Sequence, residues 1–333
     1  MLNIYFDTNY IKTKKVFFTK SIKYSKLINL IISLGNIFNS PIPDRFIFSG
    51  PHKRMNNILK TFQGPEFSIN KKIYKNNYIV NFDENSEVLL KNLLKDPQNK
   101  ILVGPLFNVE YQKKIIKYTN EHSNVKKIVA SKAAYDNIVH QLDIDVKPEN
   151  VFICPSGVIS QKNLSINSKR RVREDKCLVY FKKRNKSDLK LVLDFLKSRN
   201  IDYELFEYGK YNHKKLIEFS KYSKFGIYIS CSETQGFAIQ EMMSCNLPLY
   251  VWDDLKQNSE NLSNYYGGGN FTGTAASWWL DSNGIIVYNF EEFNSKFNDF
   301  ISKLDTFKPV EIVEKYLTFE AYKKNLLNLY SNF

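Results

Sequence analysis

Short apolar runs recur along the chain, each followed by a stretch with helical periodicity. In the first half, residues 2–6, 45–49, 78–82, 127–131 and 150–154 read as strands, and 100–105 as a buried strand running into a turn. Residues 21–38, 52–61, 86–94 and 133–141 read as helices between them. A polar, basic stretch from 160 to 176, with Arg170, Arg171 and Arg173, interrupts the rhythm and reads as an interdomain linker. The pattern then restarts. Strands at 177–181, 203–206, 225–230 and 249–252 alternate with helices at 189–196, 213–220 and 238–245, and 311–330 closes the chain as a helix. Strands spaced by helices predict parallel sheets in an α/β architecture. A chain of 333 residues has room for two such domains. The expected division is 1–160, 161–310 and a closing helical segment, 311–333.

The segment Ser232 to Glu241 carries the clearest chemistry. Glu233 and Glu241 lie eight positions apart, with Gly236-Phe237 between them. A strand, a tight glycine turn and a helix put Glu233 in the loop and Glu241 about two turns inside the helix, facing the strand ends. The backbone N–H groups of Gly236 and Phe237 would form an anion site at the helix N-terminus. A hydroxyl-rich ligand with a phosphate in its middle fits: one carboxylate on a sugar, the N–H groups on a diphosphate, the other carboxylate on a ribose. The competing reading is an ordinary β-turn-α unit with solvated glutamates.

Charge adds a second constraint. The net charge of +14 creates a field suited to phosphate-bearing ligands, anionic membrane surfaces or nucleic acid. The lysines are scattered rather than gathered in one arm or stripe, and Lys, Asn, Ile, Tyr and Phe are over-used together, as an AT-rich genome produces. No recognisable nucleic-acid module is present, which disfavours that partner. Cys154, Cys177, Cys231 and Cys245 are far apart, without a C-x-x-C pair, and read as free buried thiols of a reducing compartment. Neither a signal peptide nor a membrane span is expected, since the apolar run 27–38 is too short and interrupted. The expected location is cytoplasmic. Residues 11–38 mix Lys with apolar side chains, which leaves room for peripheral contact with a membrane face.

The E-x7-E arrangement resembles the signature of retaining glycosyltransferases with the GT-B fold, most closely glycosyltransferase family four. Residues Ser230 to Asp253 look like that family's S…E-G-F-x-x-x-x-E-A-x-x-x-G-x-P block, with Met242 for the usual Ala and Asn246 for the usual Gly. Asn tolerates the left-handed backbone that such a glycine adopts. Ile153 to Val158 looks like the family's V-x-P-x-G-V crossing, and Lys127 to Asn137 like an element at the rear of its first domain. The usual Gly-Gly loop after the first strand is absent, and Ser49-Gly50-Pro51-His52-Lys53 is the candidate replacement. Motif set and composition look like those of glycosyltransferases from large DNA viruses or AT-rich bacteria.

The resemblance implies two Rossmann-like domains facing a cleft, with the C-terminal helix crossing back to the first. It implies a nucleotide-sugar donor and a carbohydrate or glycoconjugate acceptor. Glu233 would hold sugar hydroxyls, Glu241 the ribose, and Gly236 and Phe237 the diphosphate. The leaving diphosphate calls for cations in the loop after the strand at 177–181; Lys182 and Arg184 are preferred, then Lys186. Tyr208 would stack on the base. Asp7, Gly50 and His52 are the acceptor-side candidates. By its run of glycines, the loop at 265–269 reads either as a segment that closes over donor or acceptor or as an idle surface loop. No D-x-D pair sits after a strand in a metal-binding context, and Asp253-Asp254 is adjacent rather than spaced for one ion, so neither a metal nor another cofactor is expected. A basic nucleic-acid-binding protein and a GT-B nucleotide-sugar epimerase remain as alternatives. A phosphorylase would need a cofactor lysine that nothing marks.

Overall fold

The computed structural model describes residues 2–6, 50–64, 66–69, 75–80, 82, 84–105, 109–142, 144–161, 174–265 and 268–333. The strand expected at 45–49, the helix expected at 21–38, Asp7 and most of the 160–176 linker lie outside them. The chain divides into two compact units. The first comprises Met1–Ala130, Ile138–Gly157 and Tyr322–Phe333; the second comprises Ser131–Asn137 and Val158–Ala321.

The first unit is built on β1 (Leu2–Phe6), α1 (Gly50–Thr61), β2 (Phe67–Ile69), β3 (Asn76–Val80), α2 (Glu84–Leu93), β4 (Lys100–Val103), α3 (Val109–Glu121), β5 (Val125–Val129) and β6 (Val151–Ile153); the short helix α4 (Lys132–Asp136), between the last two strands in sequence, belongs to the second unit. The strands of the first unit form a parallel six-stranded sheet in the order β2-β1-β3-β4-β5-β6. The helix expected at 133–141 is short: α4 gives way to a π turn, Asn137–Gln141. Two side chains of α1 hold the crossing segment of this unit. Arg54 donates through Nε to Ser156 Oγ at 3.1 Å, and Asn57 through Nδ2 to the Gly157 carbonyl at 2.7 Å.

The second unit contains β7 (Glu174–Lys182), α5 (Lys186–Ser198), β8 (Asp202–Glu207), α6 (His213–Tyr222), β9 (Ser223–Ser230), α7 (Phe237–Ser244), β10 (Leu249–Trp252), α8 (Leu255–Tyr265), β11 (Gly284–Val287), α9 (Phe290–Ser302) and α10 (Val310–Ile312). Its five parallel strands lie in the order β11-β10-β9-β7-β8. Both faces of the inner strands are covered, so β9 and β10 are buried along nearly their whole length rather than alternating with polar positions, while the edge strand β8 carries Asp202, Glu204 and Glu207. Leu178, Tyr180, Tyr228, Leu249 and Val251 pack into one core. Cys177, Val179, Phe181, Ile227, Ile229 and Tyr250 pack into the other, where Phe293, Phe297 and Phe300 of α9 cover them. The closing helix expected at 311–330 is broken: α10 passes into a π turn at Val313–Leu317 before α11 (Phe319–Ser331) begins. Tyr322, Leu326 and Tyr330 of α11 belong to the core of the first unit with Leu2, Ile4 and Tyr78.

Lys127 is an anomaly in that frame. It lies on an interior strand, is fully buried, and its Nζ has no hydrogen-bond partner among the described residues. Burial pushes its amine down to about 7. An unfolded chain holds the same proton to about pH 10.4. Between about pH 7 and pH 10 the unfolded state therefore binds the extra proton, and stability should rise with pH across that window. Lys127→Met keeps the apolar stem and deletes the stranded amine. Chemical denaturation at pH 7 should show a gain of about 2 kcal/mol, and the rise in stability between pH 7 and pH 10 should flatten.

Candidate active site

In the second sheet the order of strand addition reverses between β7 and β9. In open parallel sheets, ligands bind in the crevice at the carboxyl ends of the strands that flank such a reversal. Here those ends are Lys182 and Ser230, which are register partners. Glu233 follows three residues later, and its carboxylate bridges back across the reversal. Oε2 lies 2.7 Å from Lys182 Nζ. Oε1 accepts from the Tyr228 hydroxyl at 2.9 Å and the Ser230 hydroxyl at 2.8 Å. The Glu233 amide donates to the Thr274 carbonyl at 2.8 Å. The sequence thus puts an acid and a base on adjacent strand ends, and the fold closes them into an ion pair.

The environment is dry. The Glu233 side chain is 8% exposed and that of Lys182 17%. Burial alone would lower the Lys182 ammonium, but the charge and hydrogen bond of Glu233 outweigh it and hold the group above its usual value. Lys182 Nζ also lies 5.0 Å from the centre of the Tyr208 ring. Beneath the carboxylate, Tyr180 stacks on Tyr228 with ring centres 4.8 Å apart, and Tyr211 meets Tyr180 edge-on. Burial first, then the Glu233 charge, push the Tyr228 hydroxyl well above its usual range. It stays protonated and donates.

Gly236 turns the chain from the Glu233 loop into α7. It has φ 77° and ψ 58°, and no side chain caps the helix it starts. A Cβ there would come within 2.8 Å of Ile239 Cγ2. The turn is braced by Gln240, whose Nε2 donates to the Gln235 carbonyl at 2.8 Å, and by Ser277, whose hydroxyl donates to the same carbonyl at 2.9 Å. Phe237 is the first helical residue and packs against the core. Glu241 lies four residues further on, so it sits about one turn into the helix rather than two, because α7 starts at Phe237. Its buried carboxylate lies 3.2 Å from His213 Nε2, at the start of α6. After α7, Asn246 adopts φ 56°, the left-handed conformation that the family's glycine position suggests.

The basic loop after β7 splits into three environments. Lys182 faces Glu233. Arg184 is turned inward: its Nε and Nη2 donate to Asp188 Oδ2 at 3.0 and 2.7 Å, and its Nη1 to the Trp252 carbonyl at 3.2 Å. Its guanidinium also lies 5.1 Å from the Trp252 ring, so it ties α5 to the end of β10. Lys186 is exposed at the first position of α5. Tyr208 is exposed beyond β8. Gly50 and His52 fall in the first turn of α1, while Asp7 lies outside the described residues. Among the described residues no group of three or more His, Cys, Asp or Glu is arranged to hold a metal ion, and the four cysteines are buried thiols outside any disulfide.

Three contributors were not singled out from the sequence: Tyr228, His213 and Asp253. Asp253 follows β10, is 2% exposed, and accepts from Thr274 Oγ1 at 2.5 Å and the Ala275 amide at 2.8 Å. It thereby fixes the segment whose Thr274 carbonyl receives the Glu233 amide. Burial raises its carboxyl above the usual range. Its position just past the end of a buried strand was the available signal. His213 gave none, since it lies far from Glu241 in sequence.

Gly236→Ala tests this geometry. Strain at positive φ and the collision with Ile239 should cost about 1–2 kcal/mol, read as a lower unfolding midpoint.

No protein-family model matches the chain, and no curated protein matches it by sequence. Solved structures do. A mutant of S. aureus TarM in complex with fondaparinux, α-GlcNAc-glycerol and UDP is similar at 15% identity and a TM-score of 0.50, over 78% of this chain and 56% of that one. This chain thus spans little more than half the length of TarM. The N-terminal domain of a Candida albicans trehalose-6-phosphate phosphatase has a TM-score of 0.48 and 13% identity, over 90% of this chain and 75% of its own. WaaG, a glycosyltransferase involved in lipopolysaccharide biosynthesis, has a TM-score of 0.43 and 10% identity, over 84% of this chain and 96% of its own. Together with the two parallel sheets, the likeness to TarM defines the fold class: α/β, two Rossmann-like domains, of the GT-B type.

Proposed function

We propose that the chain is a retaining glycosyltransferase that moves a sugar from a nucleotide-sugar donor to a hydroxyl of a glycan, glycoprotein or glycolipid. The observation that carries this reading is the Glu233–Lys182 pair at the strand-order reversal, 2.7 Å apart and beside the glycine-capped start of α7. A buried carboxylate suits sugar hydroxyls, because it accepts strong charge-assisted hydrogen bonds in a dry site. A cation beside it suits the diphosphate. Lys182 stays charged at neutral pH, since the neighbouring carboxylate holds its ammonium above the usual value.

In this reading Glu233 orients the donor sugar and Lys182 faces the β-phosphate, with the amides at the start of α7 beside it. Departure of the nucleoside diphosphate breaks the bond between the anomeric carbon and the phosphate oxygen. Negative charge builds on that oxygen, where a fixed cation lowers the barrier. The acceptor oxygen forms its bond on the same face, and its proton passes to the leaving phosphate. No protein base is then required, and no metal is invoked. Arg184 serves the site indirectly, by anchoring α5 to the end of β10. Glu241 faces the ribose and Tyr208 the base. Asp7, Gly50 and His52 are proposed for the acceptor side, and a cytoplasmic location with contact at a membrane face belongs to the same proposal. Among the described residues no helix is long and apolar enough to cross a membrane.

Two glutamate variants and one spectrum test the reading. Glu233→Gln keeps shape but weakens the bonds to sugar hydroxyls, so kcat should fall about a hundredfold with little change in KM. Glu241→Ala should raise the donor KM about tenfold or more with kcat nearly intact. Proton NMR of the fresh product from an α-linked donor of gluco or galacto configuration should show the small anomeric coupling of an α-glycoside. Wild-type kinetics in both variants would remove the site assignment. A β-linked product would remove the retaining mechanism.

A further inference from the structure

We infer that His213 positions Glu241 and so sets the preference of the site for a ribonucleotide over its 2′-deoxy counterpart. The inference rests on the donor-site reading above and adds a residue to it. His213 Nε2 lies 3.2 Å from Glu241 Oε1, and the two arrive from different helices. Glu241 is one turn into α7 and its side chain is 8% exposed. A carboxylate this deep needs a polar partner to stay oriented. An imidazole N–H supplies direction as well as charge compensation, because the ring donates along a fixed line.

The backbone that carries the ring is held in place. Asn212 caps α6 by accepting from the Lys214 amide at 2.8 Å, so the first helical residue, His213, has a fixed backbone. Leu216 and Ser220 seat the rest of α6 in the core. Cys245, at the end of α7, lies against the Ile217 carbonyl of α6 at 3.8 Å, so the two helices meet again one turn beyond the His213–Glu241 pair. At 23% exposure the His213 side chain is more open than Glu241, on the solvent side of the carboxylate. A hydroxyl pair approaching Glu241 would meet a carboxylate whose rotation the imidazole already restricts. The entropy of orienting that acceptor is then spent on folding instead of on binding.

The test is a ratio rather than a single affinity. Calorimetry on the full chain compares UDP, GDP, ADP and CDP with their 2′-deoxy forms. Wild type should bind at least one ribonucleotide about tenfold tighter than its deoxy form. His213→Ala should weaken the ribonucleotide about tenfold and the deoxynucleotide less than twofold, bringing the ratio near one. His213→Phe keeps the ring volume without the N–H and should behave like the alanine variant. His213→Gln offers an N–H at similar reach and should restore most of the ratio. A ratio unchanged in His213→Ala and His213→Phe would overturn the inference and leave the donor site standing. Equal loss for both nucleotide forms would overturn it too, by making His213 merely structural. Failure of folded wild type to bind any of the four would remove the donor-site reading and this inference with it.

Discussion

Everything at the site is organised around one buried ion pair between the ends of two adjacent strands. β7 and β9 are neighbours in space but not in the sequence, because the chain builds β8 and two helices between them. Their carboxyl ends open a crevice, and Lys182 and Glu233 close it with opposite charges 2.7 Å apart. Such a pair contributes little net stability, because desolvation of the two ions roughly offsets their attraction. It fixes geometry instead. With Tyr228, Ser230 and Lys182 all donating to its oxygens, the Glu233 carboxylate has one orientation. In the proposed reaction an incoming diphosphate competes for the Lys182 ammonium, and the sugar hydroxyls take up acceptor capacity on Glu233.

That orientation is supported from three directions. From below, the stacked rings of Tyr180 and Tyr228 form a rigid apolar floor with a hydroxyl at its top. From the side, Asp253 clamps Thr274 and Ala275, and the Thr274 carbonyl receives the Glu233 amide. Asp253 bears a desolvation cost that burial imposes on its charge, which three donors partly offset: Thr274, Ala275 and Asn258. From the helix, Gly236 permits a turn that no side chain could occupy without displacing Ile239. Each support is local and legible in chemistry, yet they come from four separate stretches of chain.

The regular skeleton of the second unit was readable in advance because buried parallel strands are apolar throughout and short helices separate them. Strands near 178–181, 203–206, 225–230 and 249–252 all exist, with boundaries shifted by a few residues. α9 was passed over although its phenylalanines at 290, 293, 297 and 300 recur at helical spacing. β2 spans three residues in a polar context, too short to announce itself. Glu233, Gly236 and Glu241 were legible because the glycine, the two acids and the strand before them sit in one continuous stretch. The depth of Glu241 was overestimated by a turn because two turns match its eight-residue spacing from Glu233, although residues up to Gly236 form the loop before α7. Partners distant in sequence were not legible. Nothing in the Lys-rich loop separates Lys182, which meets Glu233, from Arg184, which turns inward to Asp188; only the packing of α5 against β10 decides that. His213 reaches the site through the fold alone, while Asp253 was marked only by its position just past a buried strand.

The most direct measurement of the central claim is release of nucleoside diphosphate from a panel of nucleotide sugars, followed by chromatography over hours with the folded full chain. If Lys182 and Glu233 form a donor site, one member of the panel should be consumed, yielding nucleoside diphosphate and free sugar in equal amounts, since water slowly replaces a missing acceptor. Lys182→Ala should abolish that turnover while circular dichroism remains that of a folded protein. If no nucleotide sugar is consumed or bound across the panel by folded wild type, or if Lys182→Ala turns over the donor as fast as wild type, the account is contradicted.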